Sequence, residues 1–163
     1  MFKKILVANR GEIALRIVRA CEELGVDSVS IYSEIDRFAL HVKKAVHAHC
    51  LSPKPLEAYL NGQRIIECAK ASGCEAIHPG YGFLSENAEF AAACEQAGIV
   101  FIGPHSSVIA MMGSKIAARQ AMKEAGIPTI PGSDGDLNSV DEAIACADQL
   151  GYPVMLKATF GGG

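Results

Sequence analysis

Two periods of apolar residues alternate along the first hundred positions. Short blocks bounded by polar or turn-forming residues, "KKILVA" (3–8), "SVSIYS" (28–33), "HAHCLS" (47–52), "EAIHP" (75–79) and "IVFIG" (99–103), read as β-strands. Between them the spacing changes to that of a helix. "EIALRIVRACEEL" places Ala14, Ile17, Val18, Cys21 and Leu24 on one stripe closed by Gly25. "YLNGQRIIECAKASG" reads as a helix ended by Gly73, and "NAEFAAACEQAG" as one ended by Gly98. Strands alternating with such helices predict an α/β unit: a parallel sheet with helices on both faces and binding loops at the carboxyl ends of its strands. Those loops are "NRGE", "SEID" and "HPGYGFLSEN".

After Gly103 the alternation stops. "SSVIAMMGSKIAARQAMKEAG" predicts a long helical stretch, "VDEAIACADQL" a further helix, and "YPVMLKAT" (152–159) a strand that runs into three glycines. Pro128, Pro131, Gly132 and Gly135 mark a subdomain boundary near residue 130.

Composition narrows the class. The chain has 163 residues, half of them hydrophobic, which is enough for a substantial core. Lys plus Arg number 15 against 18 Asp plus Glu, a net charge of −3 without like-charge runs, so neither nucleic acid nor an anionic membrane is an expected partner. The apolar run near the start is interrupted by Asn9 and Arg10 and is too short for a signal core. Six cysteines without a C-x-x-C pair suit a reduced compartment, read here as cytoplasmic.

Four segments are candidates for chemistry. "LKATFGGG" joins a Lys to a glycine loop that could let backbone N–H groups approach phosphate oxygens, or it is a tail. In "HPGYGFLSEN", Gly80 and Gly82 flank Tyr81, an arrangement that could hold an aromatic ring over a small flat ligand. The same loop could instead be a structural turn with Ser85 capping the next helix. In "NRGEIA" a single glycine argues against a dinucleotide site, and Arg10 with Glu12 reads as a local ion pair at a helix start. "HAHC" offers His47, His49 and Cys50, but on a strand the two histidines share one face while the cysteine takes the other, so no metal site is expected.

The ordered segments "ILVANRGEIALRIVRACEELG", "HPGYGFLSENAEFA", "FIGP", "MGSKIAARQAMKEAGIPTIPGSDG" and "GYPVMLKATFGGG" closely resemble the amino-terminal part of biotin carboxylase, over essentially the whole chain. That resemblance implies a Rossmann-like pre-ATP-grasp domain over 1–112 and the beginning of an ATP-grasp domain over 113–163, with the chain stopping inside the glycine-rich loop that covers the phosphates. By resemblance, Lys115 and Lys157 contact ATP with Gly161, Gly162 and Gly163. Tyr81, Gly80 and Gly82 border the biotin pocket, and Arg19 and Glu23 lie at a homodimer interface. The implied reaction uses ATP, Mg²⁺ and bicarbonate to carboxylate biotin on a carrier protein through carboxyphosphate, with a carboxyltransferase component as a further partner. The magnesium and bicarbonate residues would fall after residue 163, so the chain alone is expected to be inactive. Phe160 departs from the small residue usual in the family before the glycines, and "AVHAHC" from its acidic stretch. The rival readings are another ATP-grasp ligase, such as a carbamoyl-phosphate synthetase, and a non-enzymatic dimerisation module; "HPGYGFLSEN" favours biotin carboxylase.

Overall fold

A computed structural model describes residues 1–133 and 135–157. It divides the chain into two compact units, Met1–Ile109 and Ala110–Gly163. The division falls well before the turn-rich stretch around residue 130, where the prolines and glycines form a loop within the second unit rather than its edge.

The first unit is built on five parallel strands, β1 (Lys4–Val7), β2 (Asp27–Ser33), β3 (His47–Ser52), β4 (Ala76–His78) and β5 (Val100–Phe101), in the order β3-β2-β1-β4-β5. Successive side chains of β1 feed opposite faces. Leu6 and Ala8 join Val29, Ile31, Ile77 and Phe101 under α3 (Glu57–Leu60), α4 (Gly62–Ala71) and α5 (Ala88–Gln96). Ile5 and Val7 meet Ala14, Ile17, Val18 and Cys21 of α1 (Gly11–Glu23) on the other face. The expected sheet with helices on both sides is therefore present.

β2 is apolar on one face and carries Ser28 and Ser30 on the other, all buried. Ser30 Oγ donates to the His41 carbonyl at 3.1 Å and Ser28 Oγ accepts from the Val46 N–H at 3.4 Å, which ties down the short helix α2 (Leu40–Lys44). This helix and the 3₁₀ turn Glu34–Asp36 have no apolar stripe that the sequence pattern could register.

Local caps cut two stretches that read as continuous helices. Asn61 Oδ1 accepts from the Arg64 N–H at 3.1 Å and starts α4 anew after α3. Ser114 Oγ accepts from the Ala117 N–H at 3.3 Å and separates α6 (Ser106–Gly113) from α7 (Lys115–Glu124). Leu24, assigned to the buried stripe of α1, is 61% exposed, because the helix ends at Glu23 and Leu24 is its C-cap.

In the second unit, Arg119 Nη1 of α7 donates to the Ser133 carbonyl at 2.6 Å, and α8 (Val140–Leu150) is capped by Ser139, whose Oγ accepts from the Glu142 N–H at 3.1 Å. Residues 152–157 of the expected "YPVMLKAT" strand are not in a ladder. Extended backbone becomes a strand only when a neighbour takes its N–H and C=O groups, and none does so among the described residues.

Candidate functional site

The three loops at the carboxyl ends of β1, β2 and β4 meet, and the residue after β1 that joins two of them is Asn9. It is fully buried. Its Nδ2 donates to the Pro79 carbonyl at 2.7 Å and to the Tyr81 carbonyl at 2.9 Å, and its Oδ1 accepts from the Arg10 N–H at 2.9 Å. One side chain thus fixes the backbone on both sides of Gly80. At Gly80 (φ +67°) a Cβ would lie 2.7 Å from Ile13 Cγ2 and 2.8 Å from Asn9 Nδ2, so the close approach requires glycine on both counts. The Gly80 N–H donates to His78 Nδ1 at 3.0 Å, and burial holds the His78 imidazole below its ordinary pKa, which keeps that nitrogen an acceptor.

Gly82 (φ +68°) and Phe83 (φ +45°) continue the left-handed geometry. Phe83 holds a conformation costly for a large residue, with its ring 5.4 Å from that of buried Tyr59. Between these anchors Tyr81 projects outward, 64% exposed, and its hydroxyl donates to Glu12 Oε1 at 2.9 Å. Glu12 therefore pairs across the fold with Tyr81 instead of locally with Arg10. The expected cap of the following helix also differs. Asn87 Oδ1, not Ser85, accepts from the Phe90 N–H at 2.7 Å and starts α5.

Arg10 reaches the loop after β2. Its Nε donates to Asp36 Oδ2 at 2.8 Å and its Nη2 to Oδ1 at 2.5 Å, while the guanidinium lies 5.8 Å from the Tyr59 ring centre. The Tyr59 hydroxyl donates to Asp36 Oδ2 at 2.6 Å and accepts from the Ser33 N–H at 3.2 Å. The Arg10 hydrogen bonds hold the Asp36 carboxyl below its ordinary pKa, and burial, reinforced by the bond to Asp36, pushes the Tyr59 phenol up to about 12. Asn9, Asp36 and Tyr59 escaped the sequence reading. For the first two the one available signal was position, two residues after β1 and three residues after β2 in loops singled out for inspection.

This arrangement has the character of a rim: an exposed ring on a rigid loop, with a half-exposed cation nearby. Among the described residues no three His, Cys, Asp or Glu side chains converge as metal ligands. Arg19 and Glu23 lie on the exposed side of α1, where with Glu12 and Arg16 they line a shallow depression. In the second unit Lys115 opens α7 and Lys157 follows α8 in an irregular segment, both exposed. Phe160, Gly161, Gly162 and Gly163 lie outside the described residues.

Residues 1–109 match the family described as biotin carboxylase, N-terminal domain, and residues 114–163 match the carbamoyl-phosphate synthase L chain, ATP binding domain. The chain belongs to the biotin carboxylase family. It is 58% identical over its whole length to the 2-oxoglutarate carboxylase small subunit of Hydrogenobacter thermophilus, covering 34% of that protein. It is 54% identical to biotin carboxylase 1 of Bacillus subtilis, again over all of this chain and 36% of the relative. The chain thus spans about a third of the length of these curated relatives. A crystal structure of the biotin carboxylase domain dimer of the H. thermophilus 2-oxoglutarate carboxylase, in complex with MgADP, ADP and bicarbonate, is 58% identical with a TM-score of 0.94, over 100% of this chain and 36% of that one. The biotin carboxylase neighbours place the described units in a Rossmann-like domain followed by the start of an ATP-grasp domain. No helix among the described residues is long and apolar enough to cross a membrane.

Proposed function

We propose that this chain is the amino-terminal portion of a biotin carboxylase, an ATP-dependent ligase whose full-length form phosphorylates bicarbonate to carboxyphosphate and passes the carboxyl group to N1′ of carrier-bound biotin. The observation that carries this reading is the ordered match of the whole chain, first to the biotin carboxylase amino-terminal domain and then to an ATP-binding domain. The second match is shared with carbamoyl-phosphate synthases, so the first discriminates between those two ligases. In this reading Lys115 and Lys157 meet the nucleotide phosphates, a role suited to exposed ammonium groups, and Gly161, Gly162 and Gly163 begin the loop over them.

In this reading the magnesium ligands are supplied outside this chain. Tyr81, between Gly80 and Gly82, borders the biotin pocket. Arg19 and Glu23 belong to a homodimer contact, a reading supported by the dimeric state of the H. thermophilus neighbour. The biotin carboxyl carrier and the carboxyltransferase component complete the partners. A cytoplasmic setting fits the six free cysteines.

The test uses the full-length enzyme. Lys115→Ala and Lys157→Ala are each expected to raise KM for ATP about ten- to a hundredfold, from the loss of a charge-assisted contact of roughly 1.5–3 kcal/mol, with KM for biotin unchanged. Residues 1–163 alone are expected to release no phosphate above a Lys157→Ala control. Unchanged ATP dependence in both variants overturns the assignment of the lysines.

A further inference from the structure

We propose that Asn9 is a positioning residue for the Tyr81 loop, holding the ring in the orientation that biotin meets; the inference rests on the reading of Tyr81 as the border of the biotin pocket. Asn9 lies two residues after β1, a central strand of the sheet, and directly after Ala8, whose N–H donates to the His78 carbonyl at 2.9 Å. Its carboxamide offers two N–H donors and one acceptor, and all three are engaged, with Pro79, Tyr81 and Arg10. The first two partners are carbonyls about seventy residues away in sequence, on either side of Gly80. A carboxamide can bridge two carbonyls in this way, whereas a carboxylate of the same shape would set oxygen against oxygen and a hydroxyl could donate to only one.

The loop needs this bridge because little else holds it. Phe83 is in the left-handed region, costly for a large residue, Gly80 and Gly82 leave the backbone beside Tyr81 free to adopt other conformations, and Tyr81 itself is mostly exposed, its hydroxyl bonded to Glu12. Without Asn9 both carbonyls lose their donor, that of Pro79 in a buried position and that of Tyr81 in a partly buried one, and the loop is free to relax away from the Asn9 amide. The position of the Tyr81 ring would change with it, while Lys115 and Lys157 belong to the other compact unit.

The experiment compares Asn9→Asp, Tyr81→Ala and the double variant in the full-length enzyme, with free biotin as the probe. Asn9→Asp is expected to raise KM for biotin about tenfold or more and to leave KM for ATP within about twofold. In the Tyr81→Ala background the same change should add less than about twofold, because the group it positions is already gone. If Tyr81→Ala raises KM for biotin and Asn9→Asp does not, the positioning role is overturned and the pocket reading stands. If neither changes it, the pocket reading itself fails. Equal rises for biotin and ATP mean a general structural role and also overturn the inference. Should Asn9→Asp not fold, Gly80→Ala tests the same loop from the other side, since its Cβ would press on Ile13 and on the Asn9 amide. The biotin-selective rise is expected there too, and an unchanged KM for biotin in that variant refutes the proposal.

Discussion

Replacing Asp36 with alanine removes four acceptor contacts at once: two to Arg10, one to Tyr59 and one to Ser33 Oγ. Their values differ because their surroundings differ. Tyr59 is fully buried, so its hydroxyl loses the carboxylate without gaining water, which costs about 1–3 kcal/mol. The Arg10 side chain is 43% exposed and can turn to solvent, so its share is about 0–1 kcal/mol. The two shares sum to an expected loss of about 1–4 kcal/mol, centred below the roughly 3–5 kcal/mol typical when one member of a fully buried pair is removed. Urea denaturation of the 163-residue chain at about pH 7 measures it.

The same bonds dictate a pH dependence. The folded pKa of Asp36 lies below its ordinary 3.8, so its contribution is complete above that value and disappears as pH falls through the lower, folded one. Wild type and Asp36→Ala should therefore differ most above about pH 5 and converge in acid below the ordinary value. A difference under about 0.5 kcal/mol at neutral pH, or one of constant size down to about pH 3, would refute the assignment of Asp36 as the hub of these loops.

Tyr59 gives the alkaline counterpart. Its folded pKa of about 12 exceeds the ordinary 10.0, so its stabilisation is full below about pH 10 and is lost as pH rises through 12; Tyr59→Phe should flatten this decline, and parallel urea midpoints for the two proteins would contradict it. For the helix start, Asn87→Ala is expected to cost about 0.5–2 kcal/mol and Ser85→Ala under about 0.5 kcal/mol, and the reverse order in thermal melts would return the cap to Ser85.

β1 and β4 were legible because central parallel strands are written as short apolar blocks, and α1 because one stripe faces the sheet. Helix breaks were not. Ala58, Tyr59, Ile65, Ile66 and Ala69 are buried across the gap at Asn61, so the apolar pattern runs on where the backbone does not. A cap is a bond between one side chain and one N–H, and it leaves no period behind. The Tyr81 loop stood out through its glycines, but what holds it did not, since Asn9 and Glu12 act across about seventy residues. Arg10 shows the same limit: Glu12 is its near neighbour in sequence, yet the sheet brings Asp36 within reach instead.

The strand order has a consequence for synthesis. Of the five strands β1 is synthesised before the others but occupies the middle of the sheet, and its second neighbour, β4, begins only at Ala76. At roughly 5–20 residues per second, one edge of Ile5–Val7 stays open for about 3–14 s in every nascent chain. Lys3 and Lys4 directly precede these apolar residues and put positive charge beside the open edge, where charged flanking residues discourage pairing between chains. Lys3 and Lys4 thus sit where their charge opposes pairing with another chain during the seconds before the fourth strand arrives.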